Sequence, residues 1–226
     1  MRRFGVGIAV VVAAVFAAGA QGALLVTEFV ADPRGTDADK EWIEIYNSGT
    51  VAIDLTGYKV GDEETKGGDE GMFSFPAGTT MAPGQVFVIA LKASGTSSFF
   101  STYNKLPDFE IIETDGTVPN MVKYATWGTG TIALANTGDH ALIVGPDDTI
   151  VDGTNHGTAN MFFQGATLGA YQSYERYPAN VDTDLAADWR VNDEATHNPG
   201  VVYIPEPSAL AGLGLLAALF ARRRGA

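Results

Sequence analysis

Carboxylates and histidines are the side chains of this sequence with chemistry to offer, and their spacing decides what that chemistry is. Asp32, Asp37, Asp39 and Glu41 fall within one loop and the start of a strand, Asp147 and Asp148 are adjacent, and Asp182 and Asp184 are one residue apart. Hard oxygen ligands close together are what calcium needs, but none of these groups has the EF-hand order of a turn glycine followed by a bidentate acid. They read as solvated acidic loops. No resident cofactor is expected, and calcium is the one cation they could attract. The histidines, His140, His156 and His197, are isolated from one another. His140 begins a strand after a turn and is expected at the surface. His156 sits among the polar residues Asp152-Gly153-Thr154-Asn155-His156-Gly157 and is the only histidine worth testing as a metal ligand, against a plain loop role. There is no G-x-S-x-G elbow, H-E-x-x-H pair, P-loop or dinucleotide fingerprint, so no catalytic residue is nominated.

The elements that must position these groups are strands. The sequence has no cysteine, so neither disulfides nor thiolate metal sites are available and stability must come from a core. The 27 glycines and the alternating apolar runs point to many short strands separated by turns. Strands are expected over residues 24–30, 41–47, 53–60, 72–75, 85–91, 131–135, 140–144, 149–151 and 171–176. In the second of these, Ile43 and Ile45 share one face and Trp42, Glu44 and Tyr46 the other. Turns fall at residues 31–35, 47–49, 76–78, 136–139 and 145–148, and one short helical turn is expected near residues 97–103. The pattern predicts an all-β sandwich or barrel in a single domain.

Both ends of the chain differ from its middle. Arg2-Arg3 precedes an apolar, charge-free run over residues 4–18, and Ala18-Gly19-Ala20 offers a small-x-small cleavage site. Residues 1–20 therefore read as a signal peptide cleaved before Gln21, or before Ala23, where Ala20 and Gly22 satisfy the same rule. An uncleaved signal anchor is the competitor, because the run exceeds the usual length of about 7 to 15 residues. At the other end, Ile204-Pro205-Glu206-Pro207-Ser208 leads into the apolar residues 209–221 and then Arg222-Arg223-Arg224. A full span needs about 20 apolar residues, so residues 209–221 make a marginal one, with the arginines held on the cytoplasmic side. This tail, residues 204–226, resembles the PEP-CTERM sorting signal of Gram-negative bacteria. The resemblance implies an exosortase-type processing enzyme as partner, with Pro205, Glu206 and Pro207 as the recognition element and Arg222, Arg223 and Arg224 as the stop. It also implies a precursor anchored in the inner membrane through the tail, then delivery to the cell surface or beyond.

Five of the 14 basic residues lie in these ends. The stretch between them, Glu206 included, holds nine basic against 27 acidic residues, a formal charge of −18. Such a surface repels nucleic acid, which is not expected as a partner.

The order of motifs through the middle carries a second resemblance. Leu25-Val26-Thr27-Glu28-Phe29, Glu41-Trp42-Ile43-Glu44-Ile45-Tyr46-Asn47 and Asp54-Leu55-Thr56-Gly57-Tyr58 come first. Leu134-Ala135-Asn136-Thr137-Gly138-Asp139, Ile150-Val151-Asp152-Gly153, Ser173-Tyr174-Glu175-Arg176, Asp188-Trp189 and Asn198-Pro199-Gly200 follow. Together they resemble the lamin-tail domain, which implies an immunoglobulin-like β-sandwich over residues 23–203. Residues 63–71, 92–130 and 155–170 are enlarged loops relative to a minimal domain of that type, which has about 100 residues. Asn47 and Gly49 are read as a turn, Leu55 and Tyr58 as core with Gly57 allowing a bend, Asp139 as a tight-turn residue and Trp189 as a wedge on the sandwich. Family members often accompany secreted nucleases or phosphoesterases as accessory modules. The expected function is a non-catalytic exported envelope or matrix protein, an adhesion or scaffolding module facing extracellular polysaccharide or other envelope proteins. The alternative is a cryptic metal-dependent hydrolase of an extracellular polymer.

Overall fold

Alternation along the strands builds two facing sheets. The structure, a computed structural model, describes residues 24–35 and 39–205. The signal peptide, Asp37, Glu206, Pro207, residues 209–221 and the three C-terminal arginines lie outside the described residues, and Pro205 is exposed. No helix among the described residues is long and apolar enough to cross a membrane.

The strands are β1 (Leu24–Val30), β2 (Trp42–Asn47), β3 (Ile53–Asp54), β4 (Lys59–Gly61), β5 (Met72–Ser74), β6 (Thr80–Met81) and β7 (Val86–Lys92). Helix α1 (Phe99–Tyr103) intervenes, then β8 (Phe109–Ile112), β9 (Val122–Lys123), β10 (His140–Val144), β11 (Ile150–Asn155), β12 (Gln172–Arg176) and β13 (Trp189–Asp193). One sheet has the order β13-β12-β1-β2-β7-β8, the other β11-β10-β4-β5-β9, and β3 pairs with β6 alone. Pairing is antiparallel except between β7 and β8. A parallel pair needs a crossover, and residues 93–108 supply it through α1. Ser98 caps that helix by accepting from the Ser101 N–H, and the Ser101 hydroxyl accepts from the Ser98 N–H in return.

The core lies between the sheets. Phe29, Ile43, Ile45 and Ile89 from the first meet Val60, Phe73, Ala141 and Ile143 from the second, with Leu55 and Met81 buried among them. The outer faces are covered as well. Trp42, Val30 and Val88 on the outside of the six-stranded sheet pack under Phe99 and Tyr103, and the Trp42 indole N–H donates to the Tyr103 hydroxyl at 3.0 Å. On the other sheet Met72, Leu142 and Val144 pack under Trp127. The enlarged loop over residues 92–130 is thus the outer layer of both sheets, and burying each of these large side chains contributes about 1.5 to 3 kcal/mol.

Three strand expectations need correction. Residues 53–60 form two strands, β3 and β4, with a turn between them where Gly57 has φ of +82° and packs on Pro146. Residues 149–151 are only the start of the longer β11. Residues 131–135 are not a strand, because side chains and not a neighbouring strand take their N–H groups: Ala133 donates to Asp62, Leu134 to Glu41 and Ala135 to Asp139. The chain also forms β6, β8, β9 and β13, which sequence periodicity did not mark.

Candidate functional site

The acids picked out by spacing are mostly committed to the framework. Glu41 is buried and its Oε2 accepts from Leu134 N–H at 2.8 Å, and Asp39 pairs with Lys92 at 2.6 Å, so these two members of the expected calcium group are committed to other partners. Asp147 accepts from the Thr149 backbone and hydroxyl. Asp148 accepts from Lys59 and Lys66, both at 2.6 Å, and these hydrogen bonds hold its carboxyl below the usual range. Asp182 accepts from Arg176 at 2.7 Å, and Asp184 is exposed. Asp139 is buried at its turn, as expected, with its carboxylate accepting from the N–H groups of Ala135 and His140.

His140 opens β10 as expected, whereas His156, just after β11, is buried and not in an exposed polar loop. His140 is largely shielded, with Nδ1 3.5 Å from Glu64. His156 is fully buried beside the Phe29 ring, and neither ring nitrogen makes a hydrogen bond of good geometry. Burial lowers its pKa to about 4, against a small opposing pull from the Ala135 backbone, so the imidazole is neutral. It is a core residue with an apolar surround and brings no ligand to an open site.

Two constellations escaped the spacing. The first is Glu63, Glu64 and Glu70, each offering one carboxylate oxygen within 4.8 Å of the others. The enlarged loop 63–71 folds onto itself because the Glu63 carboxylate accepts from the N–H groups of Thr65 and Glu70, and Gly68 leaves room for it: a Cβ there would lie 1.9 Å from Glu63 Oε2. Burial, then Asp139, Asp62 and the neighbouring glutamates, push Glu70 up to about 8.

The second lies on the outer face of the six-stranded sheet. Register places Glu28 opposite Glu44 on one side and opposite Glu175 on the other, and Glu175 opposite Arg190. Four strands therefore carry one row, Arg190-Glu175-Glu28-Glu44. Glu44 is saturated: Oε1 accepts from the Thr27 hydroxyl at 2.6 Å and Oε2 from Gly200 N–H at 2.6 Å. Glu175 Oε2 accepts from Arg190 at 2.7 Å and from Asn192. Glu28 is 2% exposed, and its Oε1 makes no hydrogen bond of good geometry, with the Ser173 hydroxyl as its one weak side-chain donor. Burial, reinforced by Glu44, pushes its carboxyl up to about 8, and burial pushes Glu44 to about 7. The C-terminal segment crosses above the row, tied down by the Gly200 hydrogen bond and by Lys105 donating to the Pro199 carbonyl. Beside Glu28 it leaves a cavity of about 230 Å³, to which the sheet contributes Glu28, Glu175 and Arg190 and the segment contributes residues from Thr196 to Tyr203.

A third polar feature joins the sheets. Asp152 of β11 accepts both from Val26 N–H of β1 at 2.6 Å and from the Arg176 guanidinium of β12 at 2.9 Å, and Arg176 also donates to the Val26 carbonyl. The guanidinium lies over Trp189, which stacks on Tyr174, so the expected wedge is in place. Both the Asp152-Gly153 and the Glu175-Arg176 motifs meet at this clamp. In sequence, residues 17–158 match the lamin tail domain family. The chain belongs to the lamin tail domain family. A crystal structure of a DUF4876 family protein from Bacteroides thetaiotaomicron VPI-5482 shares the fold, with a TM-score of 0.53 and 12% identity over 83% of this chain and 73% of that one. No curated protein matches the chain.

Within this lamin tail domain the immunoglobulin-like sandwich was legible from motif order, whereas the outer-face row was not. The alternation of Trp42, Glu44 and Tyr46 already put Glu44 on the face away from Ile43 and Ile45. What was missing is that a distant segment buries that face.

Proposed function

We propose that the protein is a non-catalytic module of the cell envelope or extracellular matrix, exported through its N-terminal signal peptide and sorted by its C-terminal tail. Pro205, Glu206 and Pro207 are the element read by an exosortase-type enzyme, the apolar residues 209–221 hold the precursor in the inner membrane, and Arg222, Arg223 and Arg224 stop transfer. The processed domain serves adhesion or scaffolding among extracellular polysaccharide and envelope proteins. One observation carries this reading: two arginine-flanked apolar ends bracket a sandwich whose nominated acids accept hydrogen bonds from its own backbone and basic side chains.

Fractionation tests it. Glu206→Ala and Pro207→Ala variants are expected to accumulate in the inner membrane as precursor. Normal surface delivery of both variants would reject the sorting assignment. The competing reading, a metal-dependent hydrolase, draws on the Glu63, Glu64 and Glu70 oxygens, and polymer cleavage by the full chain that a Glu63→Gln, Glu70→Gln variant loses would favour it instead.

A further inference from the structure

We infer that the outer-face cavity under the C-terminal segment binds a neutral sugar, one pyranose ring of a polysaccharide, with Tyr203 as its stacking platform. An aromatic pile carries the inference. The Arg190 guanidinium sits 3.5 Å over the Tyr177 ring, and the Tyr203 ring lies nearly parallel to Tyr177, at 4.5 Å and 18°. Both cannot occupy one face of Tyr177, so the three groups stack in a row with Tyr203 at its end. The Tyr203 carbonyl accepts from Ala179 N–H at 3.0 Å, which fixes the backbone beneath the ring as well. Tyr203 is nevertheless 46% exposed, and it lines the cavity. A flat ring held in place and left open to solvent is preorganised for a flat partner, because ordering it costs little more on binding.

The rest of the lining selects a neutral ligand with hydroxyls. Its solvent-reaching charges, Arg190 and Glu175, are joined at 2.7 Å as one pair without net charge, so an ion of either sign finds no free counter-charge. A guanidinium has five N–H donors. Glu175 takes the one on Nε and the Tyr177 hydroxyl draws on another, which leaves donors for a ligand. The exposed Asn198 amide can both donate and accept, and the Thr196 hydroxyl, whose proton goes to the Asp193 carbonyl at 2.7 Å, keeps its lone pairs. Donors and acceptors side by side match vicinal hydroxyls, each of which does both. A pyranose with equatorial hydroxyls also turns C–H groups to its faces, and these weakly positive hydrogens meet the negative face of an aromatic ring. The cavity volume of about 230 Å³ lies below the roughly 300 to 1,000 Å³ of sites for drug-sized ligands and suits a single ring.

Charge at long range agrees, since a formal charge of −18 between the two ends repels acidic polymers and leaves neutral glycans free to approach. Tyr203 precedes Pro205, so the proposed processing keeps it on the domain. The inference rests on the envelope reading for the class of polymer met outside the cell. Fractionation tests that reading and binding by the purified chain tests this site, so either can fail alone.

Saturation-transfer NMR on the full-length chain, in a polyoxyethylene detergent that carries no sugar, tests the site. The probe is cellohexaose, with sorbitol as an open-chain polyol and adenosine as an aromatic ring that stacks without C–H faces. Saturable transfer to the C–H protons of cellohexaose is expected, with a dissociation constant of about 1 mM. Tyr203→Ala should weaken binding at least about tenfold while melting within about 3 °C of the parent. Tyr203→Phe keeps the ring and should bind within about twofold of the parent, and Asn198→Ala, at an exposed position, should weaken binding about threefold. The inference fails if cellohexaose shows no saturable transfer, if sorbitol or adenosine binds as well, if Tyr203→Ala binds like the parent, or if Tyr203→Phe loses as much as Tyr203→Ala.

Discussion

Asp152 and Arg176 show how a single pair can hold two sheets. The carboxylate takes the Val26 N–H and the guanidinium, and Arg176 returns a bond to the Val26 carbonyl, so three strands are fixed by two side chains that are 6% and 1% exposed. Burial raises Asp152 to about 6 against the pull of the Arg176 guanidinium, so its carboxylate is ionised at neutral pH. Removing one partner strands a buried charge, and Asp152→Ala is expected to lower the free energy of unfolding by about 3 to 5 kcal/mol in a urea titration. The other buried acids impose a pH dependence. Glu28, Glu44 and Asp62 have folded values of about 8, 7 and 7, above their unfolded ones, so the folded state keeps protons that the unfolded chain releases. Their contribution is complete below the unfolded value and is lost as pH rises through the folded one. His156 works the other way, since its folded value is about 4 against 6.5 unfolded, and it removes stability only as pH falls below 6.5. Between pH 6.5 and 8 the acids act alone, so the melting temperature should fall across that window, and less steeply in Glu28→Gln. Of these residues the sequence singled out only His156 for chemistry, while Glu28, Glu44, Asp152 and Arg176 stood inside family motifs. Asp152 and Arg176 stand 24 positions apart, and no local pattern announces that they touch.

Elements here are shaped by what covers them. The segment over residues 131–135 has the composition of a strand, yet the N–H groups of Ala133, Leu134 and Ala135 go to Asp62, Glu41 and Asp139. It lies so close to the neighbouring loop that a Cβ on Gly71 would sit 2.2 Å from the Ile132 nitrogen. Gly71→Ala is therefore expected to destabilise the protein by about 1 to 3 kcal/mol through forced backbone displacement, whereas Gly78→Ala, with open space but φ of +81°, should show only local strain. Alternation along β2 was readable because period-two patterning sets which residues face the core, and β7 was readable as a central strand because it is apolar on both parities. The two-residue strands β6 and β9 were not, since so few residues carry no period. Helix α1 was expected only as a short helical turn near residues 97–103, and because it lies over Trp42, Phe99→Ala is expected to cost about 3 to 5 kcal/mol by loss of a fully buried ring.

For the molecule as a whole, the covered sandwich explains why the enlarged loops are longer than an immunoglobulin-like domain requires. They cover the outer faces of both sheets, leaving an outer-face cavity between the six-stranded sheet and the C-terminal segment. That segment leads straight to Pro205, so in our reading the part of the domain nearest the membrane precursor is also the part that roofs the glutamate row. The sandwich was legible because its motifs run in family order, whereas the proposed export signals, Ile204 and Pro205 apart, lie outside the described residues. The central claim is that the domain reaches the outside and sheds both ends. Intact-mass analysis of the protein recovered from the surface or medium of its native cells tests it most directly: the predicted species begins at Gln21 or Ala23 and ends between Pro205 and Ser208, apart from any attached group. A 226-residue chain recovered whole from the cytoplasm would contradict the account.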